Sequence, residues 1–229
     1  QKIEITATLD QNVTNGIKRV ARETFVTDII MGWPAQSKLA DIIFGKTFDS
    51  VVNQTNQAVF ITRLALPINL HQRLLLFCPQ ATEKEHGFYN WVDEVLRMAV
   101  RLNLKVHIHA THQTYMAIAE FVRKRRVTVT LQFHACNDVS DPGLLKGVHA
   151  NDLVLLVTSR KGTISYTPFL DIFPKKMTKA LPDNSLIFIY PEMKPMETFS
   201  SYIRESDSGI LERGLDAFRR GTRGIFRKD

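Results

Sequence analysis

Cysteine is scarce in this sequence: Cys78 and Cys136 are the only two among 229 residues. That excludes a disulfide-held scaffold and suits a reducing compartment. Long apolar runs are missing as well. No uncharged stretch approaches the roughly 18–20 residues that a membrane-spanning helix needs. The first residues do not read as a signal peptide, with its basic start and apolar centre. Cys-x-x-Cys pairs and a nucleophile elbow are both absent, and Asp93, Glu94, Asp138 and Asp141 lie on expected helix faces or turns without an evident partner. Catalysis is therefore not expected. Gln1 stands where a start methionine would be, so the chain reads as a fragment of a longer protein that begins inside a domain.

What is present suits a folded chain. Hydrophobic residues make up 44% and charged residues 23%, enough apolar material for a core and too little charge for general disorder. The length fits one large domain or two small ones. Lys and Arg number 30 against 23 Asp and Glu, a net charge of +7. The basic residues are dispersed rather than interleaved with aromatics, so nucleic acid is not expected as a partner.

Strand-like and helix-like segments alternate along the chain. Residues 2–9 alternate as a half-buried strand would, and Thr14 can cap a helix carrying Ile17, Val20 and Ala21. Strands are expected at 28–32 and 58–63. Between them Ser37 can cap a helical stretch that Gly45 interrupts and that resumes through Val51 and Val52. A second series starts with a strand at 73–78. Next, Phe88, Trp91, Val92, Val95, Leu96, Ala99 and Leu102 form one wide apolar helical stripe. A strand at 104–110, a helix at 112–125, a strand at 127–134 and a helix at 141–149 follow. The series closes with a strand at 153–157, a helix at 168–180 and a strand at 186–190. Residues 74–77, 153–157 and 186–190 are apolar on both faces, as in parallel sheets covered by crossover helices. The fold class expected is α/β: open, mostly parallel sheets with helices on both faces. The expected divisions are 1–67, 68–192 and a charged, basic tail at 193–229, whose ordinary reading is a frayed tail docked on its own domain and whose amphipathic pattern also suits a partner or membrane surface.

Two loops could take an anion. Gly32-Trp33-Pro34-Ala35 follows a strand, and Gly45-Lys46-Thr47 comes thirteen residues after Gly32. Glycines beyond the carboxyl ends of strands let backbone amides approach a phosphate. Equally, Gly32 can simply end a strand and Gly45 permit close packing. Thr158-Ser159-Arg160-Lys161-Gly162-Thr163 is a polar, basic turn whose ordinary reading is a solvated loop. His107 and His109 share one face of their expected strand, with His112 beyond its end and His134 on the next strand. A zinc site needs three or four converging ligands, so His107, His109 and His134 are a candidate cluster only if strand order brings them together. Ordinary packing or a pH-responsive group are the other readings.

Asp28-Ile29-Ile30-Met31-Gly32, the Gly45-Lys46-Thr47 turn and residues 58–63 resemble the latter part of a universal stress protein domain. The nucleotide pattern of that family is glycine, two residues, glycine, nine residues, glycine, then Ser or Thr. Gly32 and Gly45 match its first and third glycines. Ala35 replaces the second, and Lys46 stands at the hydroxyl position, with Thr47 one residue later. Residues 68–192 have the same element order with less of the pattern. A truncated unit followed by a complete one resembles the soluble carboxyl-terminal region of bacterial sodium/proton (cation:proton) antiporters. Residues 44–48, 87–92 and 187–192 look most like that group.

That resemblance implies tandem universal stress protein-like units, the first cut through its middle. It also implies an upstream transmembrane transporter domain in the same polypeptide and a place at the cytoplasmic face of the bacterial inner membrane. Homodimerisation is expected, with ATP or AMP as the candidate ligand. Gly32, Ala35, Gly45, Lys46, Thr47, Ser159 and Arg160 are the candidate ligand-binding residues. Two competing readings are a free-standing nucleotide-binding universal stress protein and an α/β domain built on the histidines.

Overall fold

The computed structural model describes residue 3, residues 5–32 and residues 46–194. Seven strands make one sheet: β1 (Asp28–Gly32), β2 (Ala58–Arg63), β3 (Arg73–Phe77), β4 (Lys105–Ala110), β5 (Leu131–Ala135), β6 (Asp152–Val157) and β7 (Ser185–Tyr190). Their order is β1-β2-β7-β6-β3-β4-β5. Every pairing is parallel except β2 with β7, which runs antiparallel from Val59 opposite Tyr190 to Arg63 opposite Leu186. The sheet is thus open and mostly parallel, as the doubly apolar strands foretold. β6 is buried at all six positions.

Helices cover both faces. α1 (Val13–Glu23), α2 (Lys46–Gln54) and α5 (Phe173–Ala180) bring Ala21, Val51, Phe173 and Met177 onto Val59, Ile61, Leu75, Val154 and Phe188. On the other face, α3 (Phe88–Arg101) and α4 (His112–Arg125) cover Leu74, Leu76, Val106, Leu153 and Leu155. The α3 stripe falls as its spacing predicts, with Phe88, Trp91, Val92, Val95, Leu96 and Ala99 buried. At about 1.5–3 kcal/mol for each large apolar side chain removed from water, this helix alone supplies a substantial part of its core.

Four expectations fail locally. Residues 5–10 form no strand, and Ile5 and Leu9 are 92% and 94% exposed. Alternation supplies a face, but a strand also needs a partner. Asn12 rather than Thr14 caps α1, its side-chain oxygen accepting from the Asn15 amide at 2.9 Å. Residues 142–147 form a 3₁₀ turn instead of a helix over 141–149. Asp141 accepts from the Gly143 amide there, and Pro142, Gly143 and Gly147 disfavour longer helix. The expected 168–180 helix begins with a 3₁₀ turn at Pro168–Asp171 before α5.

Gly87 is required by a close approach. A Cβ there would lie 2.6 Å from the Glu192 amide nitrogen and 2.9 Å from its carbonyl oxygen. The chain after β7 therefore passes directly over the start of α3.

Candidate functional site

The antiparallel seam puts the carboxyl ends of β1 and β2 at one edge of the sheet and those of β6 and β7 at the other. Gly32 and the Ser159–Arg160 pair consequently lie at opposite edges and do not form one site. Gly32 sits opposite Thr62. Among the described residues a Cβ on it would meet nothing closer than the Thr62 hydroxyl at 3.7 Å, so none of them demands glycine there by close approach. Thr47 is exposed on the first turn of α2, and Lys46 begins that helix. Ala35 and Gly45 lie outside the described residues.

The turn after β6 departs from a solvated loop. Thr158, Ser159 and Arg160 are all buried, Arg160 to 4% exposure. The reason is a reach of more than a hundred residues. Arg160 Nη1 donates to the Thr55 carbonyl, and Nη2 donates to the Gln57 carbonyl at 2.5 Å. These carbonyls belong to the turn leading from α2 into β2. The opposite end of the seam has a counterpart. Arg63, also 4% exposed, donates to the carbonyls of Leu181 and, at 3.1 Å, Asn184, in the turn from α5 into β7. Each buried guanidinium thus ties one strand pair to the turn that feeds the other. Gly162 adopts φ +89° just beyond, a conformation that glycine takes without strain.

A cavity of about 300 Å³ opens beside this turn, lined by Asp49 and Asn53 of α2, Ser159, Arg160 and Lys161, Asp171 and Lys175, and Tyr190. Burial pulls the Arg160 guanidinium down to about 10, with Tyr190 opposing. No carboxylate among the described residues pairs with it. Ser159 Oγ and Arg160 Nε are buried without a hydrogen-bond partner among the described residues. Tyr190 is pushed up to about 12, mainly by burial. Asp49 is raised, first by loss of solvent and then by Asp171, against the pull of Lys175. Lys161 lies 3.9 Å from Asp171. The chemistry offered is a set of cationic and hydroxyl groups at the carboxyl edge of β6 and β7, tempered by two carboxylates. The sequence reading included Ser159 and Arg160 but missed Asp49, Asn53, Asp171, Lys175 and Tyr190. Only the antiparallel seam brings α2 to this edge, and no local pattern signals it.

The histidines meet, but in a stack. His107 Nδ1 lies 3.1 Å from His134 Nε2, and His109 stacks on His134 with centroids 4.6 Å apart. Phe77 flanks His109 at 4.6 Å, whereas His112 contacts Phe133. Among the described residues no group of three or more His, Cys, Asp or Glu is arranged to hold a metal ion. Burial and the neighbouring imidazoles hold His109 down to about 4, and His107 is lowered by burial first and then by Arg73.

No family model and no curated protein matches the sequence. Solved structures do match the fold. A protein described as a universal stress protein from Pseudomonas aeruginosa UCBPP-PA14 superposes with a TM-score of 0.51 at 12% identity, covering 80% of this chain and 69% of its own. A protein of unknown function from Pseudomonas aeruginosa PAO1 gives 0.51 at 11%, with the same coverage. A universal stress protein from Archaeoglobus fulgidus DSM 4304 gives 0.48 at 12%, over 80% of this chain and 66% of its own. The chain has a universal stress protein-like fold. Among the described residues no helix is long and apolar enough to cross a membrane.

Proposed function

We propose that this chain is the regulatory, non-catalytic domain of a monovalent cation (sodium)/proton antiporter, acting at the cytoplasmic face of the bacterial inner membrane and sensing an anionic ligand. The observation that carries the ligand site is the buried Arg160 guanidinium. It has no carboxylate partner among the described residues and lines a cavity with Lys161, Lys175 and the unpaired Ser159 hydroxyl. An anion there replaces lost solvation for a cation that the fold already holds out of water. Because α2, the β6 turn and the start of α5 all line the cavity, occupancy favours one arrangement of these elements. A transporter joined to them is then biased by population shift. ATP and AMP are the first ligands to try, and a homodimer is the assembly this reading carries.

The test is sodium/proton exchange by the full-length polypeptide in sealed vesicles, with ATP or AMP varied on the domain side. Exchange is expected to depend on the nucleotide in the parent and to lose that dependence in Arg160→Met and Lys175→Gln. Exchange indifferent to nucleotide, and unchanged by either substitution, contradicts the proposal. Nucleotide binding by the isolated chain without any coupled transport would instead favour a free-standing nucleotide-binding stress protein.

A further inference from the structure

Cations that are dispersed in sequence gather at one edge of the sheet. α3 and α4 both end there, because each leads into the start of the next parallel strand, β4 or β5. The Val106 amide donates to the Thr130 carbonyl at 2.9 Å, which holds the two strand starts side by side. Arg101 closes α3 and Lys105 opens β4. Arg123, Lys124 and Arg125 fill the last turn of α4, and Arg126 follows as its cap. All six are exposed. The carboxylates nearby are already paired, Asp152 with Arg73 at 2.6 Å and Glu120 with Lys124 at 2.9 Å. Asp183 stands before β7, on the far side of β6.

A helix carboxyl end attracts cations into its last turn, but that does not account for Arg126. Its φ is 55°, the left-handed region where a side chain is strained and glycine is not. An arginine is thus held where the backbone favours glycine. Aliphatic side chains stand among these cations. Val100, next to Arg101, is 45% exposed, and Leu70, just before β3 at the same edge, is 55% exposed. The turn that carries Leu70 also carries Ile68, which shares a depression of about 450 Å³ with Glu94, Arg97, Met98, Arg101 and Leu102. Glu94 is paired there with Arg97 at 3.5 Å.

We propose that this edge docks on the surface of an anionic phospholipid bilayer. Arg101, Lys105 and Arg123–Arg126 meet the headgroup phosphates, and Leu70 and Val100 enter the acyl boundary between them. A single-stranded nucleic acid is a poorer partner, because it calls for free aromatic faces among the cations. Phe121, one turn before Arg125, is already stacked with Tyr89 at 5.4 Å and has the Arg125 guanidinium 5.4 Å from its centroid. β3 and β6 are parallel, so Arg160, beyond the carboxyl end of β6, lies at the opposite edge of the sheet and stays open to solution. Docking of this kind goes beyond the proposed function and needs no attached transporter.

The 229-residue chain is mixed with vesicles of phosphatidylcholine, alone or with about 30% phosphatidylglycerol, and binding is read by co-sedimentation. The anionic vesicles are expected to bind it at least about tenfold more tightly and to release it as salt rises. Arg125→Gln with Arg126→Gln should weaken that binding about twentyfold or more, at about fivefold per cation. Lys84→Gln with Lys176→Gln removes the same charge from exposed sites elsewhere and should leave binding as in the parent. Arg126→Gly separates docking from folding: its melting temperature is expected to hold or rise while vesicle binding falls about fivefold. Equal binding to neutral vesicles, an equal loss from the lysine pair, or parental binding by Arg126→Gly overturns the proposal. So does tighter binding to a single-stranded oligonucleotide than to the anionic vesicles.

Discussion

Replacing Arg160 with methionine separates two roles that the structure gives this residue, seam fastener and ligand group. The guanidinium makes two hydrogen bonds, to the carbonyls of Thr55 and Gln57. Hydrogen bonds involving a charged group contribute about 1.5–3 kcal/mol each. Against them stands the burial that lowers the group from its ordinary value to about 10, a cost of about 3 kcal/mol at 1.36 kcal/mol per pKa unit. The balance is small, but methionine also leaves two carbonyls without their donor, at about 1 kcal/mol or more each. Arg160→Met is therefore expected to lose about 1–3 kcal/mol. In urea, with a slope of about 2 kcal/mol per molar, the midpoint falls by about 0.5–1.5 M. Arg63→Met, at the other end of the seam, is expected to behave alike. An unchanged or raised midpoint for Arg160→Met refutes the fastening argument. A raised midpoint together with lost ligand response would mean that the buried cation is kept for binding at the expense of stability.

Three further outcomes are expected. His109 is held near 4 in the folded chain against an ordinary 6.5, so the unfolded state takes up its proton first. The associated stability is complete above about pH 6.5 and is lost as pH falls towards 4; after allowance for solvent at the partly exposed ring it amounts to about 1–2 kcal/mol. Urea unfolding at pH 7.5 and 4.5 checks this, and His109→Gln should flatten the difference. Asp152, fully buried, accepts from Arg73 Nε at 2.7 Å, from Arg73 Nη2 at 2.6 Å and from the His149 amide at 2.8 Å. Asp152→Ala should lose about 3–5 kcal/mol, read as a lower urea midpoint, and a loss under 1 kcal/mol contradicts the network. Gly87→Ala forces a methyl into the Glu192 backbone and should destabilise by about 1–3 kcal/mol in the same assay.

The sequence exposes those parts of the fold that are written in local periodicity. The stripe from Phe88 to Ala99 announces α3, and the two-sided apolar strands at 74–77 and 153–157 announce a covered parallel sheet. Direction is a different matter. A strand buried on both faces looks the same read either way, so the antiparallel meeting of β2 and β7 has no local signature. The surroundings of Arg160 depend on that meeting. Its carbonyl partners lie more than a hundred residues away, and a basic turn in sequence becomes a buried fastener only once the seam exists. Residues 5–9 err in the other direction. Ile5, Ala7 and Leu9 alternate correctly, but among the described residues no strand pairs with them, and Thr8 and Leu9 instead accept hydrogen bonds from Arg19. His107 and His109 were legible as sharing one strand face, whereas His134 joins them only through the strand order that sets β5 beside β4. Their stacked rings, which decide what they can do, were not legible.

Thermal unfolding of the purified chain with and without millimolar ATP, ADP, AMP and inorganic phosphate tests the ligand reading most directly. A saturable rise is expected, equivalent to about 2.7 kcal/mol at a hundred times the dissociation constant, and Arg160→Met and Lys175→Gln should each abolish it. A melting temperature that none of these anions moves, or a rise that survives both substitutions, contradicts a ligand site at Arg160.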